Sequence, residues 1–199
     1  MTQGTLPTYY KFLNLDGTCW PGGTGHWYLP RNDRPGKWMP TIEGNLVPCE
    51  RGYHILEEAD LVHWLGPTLW TVERGKQYIR HLNKGVTERA RTLMHVSTWN
   101  ERTAQLFIAD CAEHVLHLFE SKYPADPRPR QAIAAARAFA RGEANLEDLD
   151  TATAAATAAV IATAAVEAAI WTAATAAAVT AERDWQTTRL MEYLRGERE

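Results

Sequence analysis

Cysteine is scarce in this chain of 199 residues: Cys19, Cys49 and Cys111 are the three it has. An odd, dispersed set excludes the disulfide framework of a small secreted protein. No positive run followed by an apolar stretch stands between Met1 and Thr5, which predicts no signal peptide. Excess charge of one sign is missing too. The 21 basic and 24 acidic residues leave a net charge of −3, which argues against a polyanion-coating role. No Walker-type glycine loop, GxSxG, HExxH or zinc-deaminase motif is present. Nor is the chain poor in apolar residues. With 45% apolar and 23% charged, disorder of the whole is excluded. These absences predict a cytoplasmic protein with no cofactor, no metal and no sequence-specific nucleic-acid partner.

Seven of the ten prolines and six of the eight tryptophans precede residue 100, whereas Ala144 to Arg195 holds neither Gly nor Pro. The shift predicts an α+β chain. A small strand-rich module over 1–95 would precede an all-α, alanine-rich helical domain over 96–199. Strands are expected at 9–13, 37–39, 45–47 and 68–73, with a turn at Asp16-Gly17. Glu57 to Leu65 reads as one or two helical turns, stopped by Gly66-Pro67.

In the second half, Thr98 and Glu101 have capping-box spacing. Ala104, Ile108, Cys111, Val115, Leu118 and Phe119 then share one helical face and predict its buried stripe. Asp126 is the next expected N-cap, with Pro127 at the first helical position. Ile133, Ala136 and Ala140 form the expected buried stripe there, and Gly142 the C-terminal cap. Trp185, Leu190 and Leu194 are the expected anchors of the last turns.

Residues 151–181 comprise 17 Ala, seven Thr and a single charge, Glu167. Weakly inserting side chains, a mid-span glutamate and no basic flank argue against a membrane span. The threonines also lack the helical period of an ice-binding face. One helix over 146–195 would be roughly 75 Å long, so a break is expected near Thr163. The small, uncharged 151–181 surface is expected to drive self-association into a homo-oligomer.

Trp99-Asn100-Glu101-Arg102-Thr103-Ala104 and Asp110-Cys111-Ala112-Glu113 resemble the first helix of small immunity-protein-like helical domains. Asp126 to Ile133 and Ala136 to Glu143 resemble the second helix of that pattern. Such domains accompany bacterial polymorphic toxins and occur in phage or mobile-element genes. The resemblance spans residues 98–195. It implies a genetic-conflict setting and an interaction role, and it supplies no target. Lys11-Phe12, Asp16-Gly17, Cys49 to His54 and Trp64-Leu65-Gly66 resemble an uncharacterised phage and bacterial module, which brings no activity with it.

Several clusters compete for a site. Cys49 and His54, with Cys19 and His26 upstream, supply ligand types suited to zinc. The simpler reading packs Cys49 and His54 inside a strand-to-helix turn, with Gly52 at positive φ. Asp110, His114 and His117 share a helix face with metal-pair spacing, but the resembling families usually carry Arg where His114 stands, which favours an Asp–His pair on a partly exposed face. Arg128, Arg130, Arg137 and Arg141 read as partners for Asp110, Glu113 or Glu120, or as a pocket for phosphate or an acidic partner.

Arg74, Lys76, Arg80, Lys84, Arg89 and Arg91, opposed by Glu88 alone, read as a basic connector against an acidic helical domain. If the ligand is a small nucleotide, Trp64 and Trp70 would stack its base and Arg80, Arg89 and Arg91 would hold its phosphate. The reading is of a non-enzymatic binding protein of a bacterial or phage conflict system, acting in immunity or anti-defence. It would sequester an effector protein or a small nucleotide signal. The alternative is a nucleotide-acting enzyme with its site in the aromatic module.

Overall fold

The computed structural model describes residues 8–150 and 175–198, and the chain divides into two compact units between Trp99 and Asn100. The expected break near Thr163 and most of the expected self-association surface lie outside the described residues.

The first unit holds β1 (Tyr9–Leu13), β2 (Tyr53–Ile55), a 3-10 helix (Glu58–His63), β3 (Thr68–Arg74), β4 (Tyr78–His81), β5 (Lys84–Thr87) and β6 (Ala90–His95). The strands form two antiparallel sheets, ordered β1-β3-β6 and β2-β5-β4. Reciprocal backbone bonds of 2.8 Å between Tyr10 and Leu56 tie β1 to the chain leaving β2. Tyr9, Leu13, Trp27, Met39, Ile55, Val72 and Ala90 make one core cluster.

Two expected strands form, over 9–13 and 68–74; those at 37–39 and 45–47 do not. Pro35 and Pro40 lack donors, so the first of these segments only leans on β6. Gly36, Met39 and Ile42 donate backbone N–H groups to Thr92, Ala90 and Glu88. Val47 instead opens a tight turn closed by Arg51, with Cys49 at φ +67°. The expected basic connector is also corrected. Residues 74–91 hold the end of β3, β4, β5 and the start of β6, with Val86, Thr87, Ala90 and Thr92 buried between the cations.

Two glycines are fixed by geometry. Gly36 lies so close to its neighbours that an added Cβ would stand 1.8 Å from the Tyr28 carbonyl oxygen. Gly52 has φ +141°, and a Cβ there would meet Val86 at 2.1 Å.

The second unit contains α1 (Glu101–Glu120), α2 (Arg128–Ala140) and α3 (Thr175–Leu194). Asn100, rather than Thr98, is the N-cap of α1, and it forms its reciprocal box with Thr103. The buried stripe of α1 is also not the expected one. Thr103, Leu106, Phe107, Ala109 and Leu116 are buried, whereas Ile108, Val115 and Leu118 are exposed. The helix carries two apolar faces. The inward side is broad: Phe107 stands edge-on to Tyr193 of α3 at 6.3 Å, and Leu116, half a turn round the helix from it, clusters with Ile133 of α2. In α2, Ile133 and Ala140 are buried as expected, and Gly142 follows at φ +74°. Pro127 takes the N-cap place, while Asp126 still accepts the Arg128 backbone N–H at 3.1 Å. Among the described residues no helix is long and apolar enough to cross a membrane.

Candidate functional site

The five residues expected to hold a nucleotide are each engaged within the first unit. Trp64 donates its indole N–H to the Asn83 carbonyl at 2.8 Å and carries the Lys84 ammonium 4.8 Å from its ring centre. Trp70 meets the cross-strand His95 at a tilt, ring centres 4.7 Å apart, and donates to Thr68 Oγ1. Arg80 makes a bidentate pair with Asp60, both bonds 2.7 Å. Asp60 is 1% exposed, so this fork neutralises a charge deep in the fold. Arg91 pairs with Glu73 across the β3–β6 ladder. Arg89 and Arg91 both lie over the Trp38 face, at 4.1 and 4.8 Å. Trp38, absent from the expected set, is the indole that gathers arginines. The opposition expected from Glu88 alone is corrected: Glu57, Asp60 and Glu73 share the cations. Glu88 itself is capped by the Lys76 and Gln77 N–H groups and the Thr87 hydroxyl. Burial pushes its carboxyl up, and these bonds outweigh that and hold it below the usual range.

The two histidines among the zinc candidates have other partners. His54 Nε2 accepts the Cys49 backbone N–H at 3.0 Å, and His26 Nε2 bonds the Asp16 carbonyl at 2.8 Å. Cys49 is exposed, not packed inside. Among the described residues no three His, Cys, Asp or Glu side chains are grouped to hold a metal ion.

In the helical unit, Asp110 is a hub. It accepts from Arg137 at 2.8 Å, Tyr193 Oη at 3.0 Å, Arg189 at 3.4 Å and Arg198 at 3.5 Å. The expected Asp–His pair is therefore replaced by an Arg–Asp–Tyr network. Arg137 also grips Glu113 and holds that carboxyl below its ordinary range. Burial and the Asp110 charge push the Tyr193 phenol up. His114 stacks on Trp185 at 3.8 Å and bonds Glu182 at 2.8 Å. Arg130 pairs with Glu120, while Arg128 and Arg141 pair with Asp126 and Glu143. All four α2-region arginines thus have carboxylate partners in the second unit. With them so engaged, the distinctive surface of α1 is its second apolar face.

The family described as "Imm-5 like putative immunity protein" matches residues 94–193, half of the chain. The chain belongs to this immunity-protein family. No curated protein and no solved structure matches the chain. The family match runs from the end of β6 to the end of α3, so it contains α1, α2 and the Asp110 hub. Family membership gives the chain an immunity-type function.

Proposed function

We propose that the chain is a non-enzymatic immunity protein that neutralises a toxin effector protein by binding it through the helical unit. The observation that carries this reading is the outer face of α1. Ile108, Val115 and Leu118 stand there 53%, 38% and 46% exposed, inside the family match and on a helix whose other face is already filled. Full burial of such a side chain contributes roughly 1.5–3 kcal/mol, so covering the exposed part of three contributes several kcal/mol in sum. From residue 98 onward the sequence holds 10 basic and 15 acidic residues. An effector domain with an apolar recess inside a basic rim complements that surface.

Neutralisation by binding needs no reacting group on this chain. The test is survival of bacteria that produce a toxin domain found to bind the purified chain. Co-production of the chain should rescue growth, and the double variant Ile108→Asp, Leu118→Asp should lose the rescue while keeping its helical circular dichroism. Undiminished rescue by that folded variant would refute the assignment to α1.

A further inference from the structure

A second site lies in the first unit, away from the family match. A cavity of about 190 Å³ is lined by Lys11, Cys19, Trp20, His54, Trp64 and Lys84, closed by Phe12, Leu56 and the Pro21-Gly22-Gly23 turn. No carboxylate lines it. Two ammonium groups reach this wall. Lys84 rests on the Trp64 ring, and Lys11, from the middle of β1, lies 5.8 Å from the Trp27 ring centre. Arg80 and Arg91 are paired with carboxylates, whereas these two, like Arg89, lie against indoles. Burial, and to a lesser degree Lys84, holds the Lys11 ammonium below its ordinary pKa, with Cys19 acting the other way.

His54 contributes a neutral ring. Burial first, then Lys11, Lys84 and His81, lower its pKa to about 4. Because Nε2 accepts the Cys49 N–H, the ring proton sits on Nδ1, which makes that edge a donor. Trp20 is fixed by donating its indole N–H to the Leu65 carbonyl at 2.7 Å, with its pyrrole edge against Gly66. The wall is thus donor-rich, positive and flanked by flat apolar surface. Placing the acceptor oxygens of a phosphate anion between two underpaired ammonium groups offsets the repulsion between those groups.

We infer that this cavity binds a phosphate group, with Lys11 and Lys84 as its charge partners and Trp20 and Trp64 as its walls. The group can be free phosphate or the head of a phosphate monoester such as a nucleotide. At about 190 Å³ the cavity holds the phosphate and leaves most of a larger ligand at the open rim. This site differs from the effector-binding face, and its failure would leave the proposed immunity function untouched.

The test is a chemical-shift titration of the full 15N-labelled chain at constant ionic strength. Inorganic phosphate and adenosine monophosphate are the two probes, and the indole N–H resonances of Trp20 and Trp64 are the readout. Saturable shifts with both are expected below about 10 mM. Lys11→Gln and Lys84→Gln should each weaken binding roughly 10-fold, while Lys84→Arg retains it. Tighter binding of the monophosphate identifies a nucleotide-like source, and equal binding identifies free phosphate. Absence of saturable shifts with either probe would overturn the inference. So would unchanged binding in a Lys11→Gln, Lys84→Gln variant that melts with the parent.

Discussion

Replacing Asp110 with Asn keeps the side-chain shape and removes the charge that organises the helical unit. Asp110 is 10% exposed at its side chain, while Arg137 and Arg189 are 27% and 18% exposed. The substitution leaves one acceptor oxygen and turns the other into an NH2 donor, so the side chain can no longer accept from both Arg137 and Tyr193, and the bond it keeps goes to an uncharged acceptor. A bond to a charged group contributes roughly 1.5–3 kcal/mol and a neutral one roughly 0.5–1.5. Arg137 retains Glu113, which offsets part of the loss. Arg189 retains only the 3.5 Å contact to Glu192, and it lies over Trp185. The expected cost is therefore about 2–3 kcal/mol. Urea unfolding followed by circular dichroism at the helix band measures it. A double-mutant cycle with Arg137→Gln should return a coupling of at least about 1 kcal/mol. A cost below about 0.5 kcal/mol, or zero coupling, would refute the hub.

Three other outcomes follow from the geometry. His54 has a folded pKa of about 4 against an ordinary 6.5, so between those values the unfolded chain binds more protons. Stability of the first unit should therefore rise from pH 4 to 6.5 and level off above, by roughly 1–3 kcal/mol, and His54→Gln should flatten the rise in a pH series of urea melts. Gly36→Ala forces a Cβ into the Tyr28 carbonyl and Thr92 hydroxyl and should destabilise by roughly 2–4 kcal/mol, read as a lower unfolding midpoint; an unchanged midpoint would contradict that packing. Burial, Glu182 and Asp110 raise the Cys111 thiol to about 11. Only about a thousandth of it is thiolate at pH 8, so iodoacetamide should modify exposed Cys49 well before Cys111, as peptide mass mapping can show.

Strands β1 and β3 were legible because aromatic and β-branched residues alternate there without proline. The strands over 74–91 were hidden by their charges. Arg80 and Lys84 read as a basic run, yet each side chain lies along a strand with its charge on Asp60 or Trp64. In α1 the helix itself was legible and its inward face was not. Ile108, Val115 and Leu118 make the better single stripe, whereas the buried Leu106, Phe107 and Leu116 spread over half the helix, and only the partners on α2 and α3 show that this broad side is the inner one. Pairing of Arg130 and Arg137 with α1 carboxylates was readable from charge and helix order. Tyr193 and Arg189 as Asp110 partners were not, since they lie 83 and 79 residues away. The cavity had one visible trace, a lone Lys11 inside the aromatic run Tyr9 to Leu13. Its meaning depended on Trp64 and Lys84, which tertiary folding brings to the same wall.

The central claim is that this chain confers immunity by stoichiometric binding of an effector protein. The most direct measurement titrates the purified full chain into a fixed amount of a toxin domain that it binds, with toxin activity as the readout. Inhibition that is linear in added chain and complete at a fixed molar ratio is the predicted result. Time-dependent inactivation by a small substoichiometric amount would reveal turnover, and with it an enzyme, and would contradict the claim.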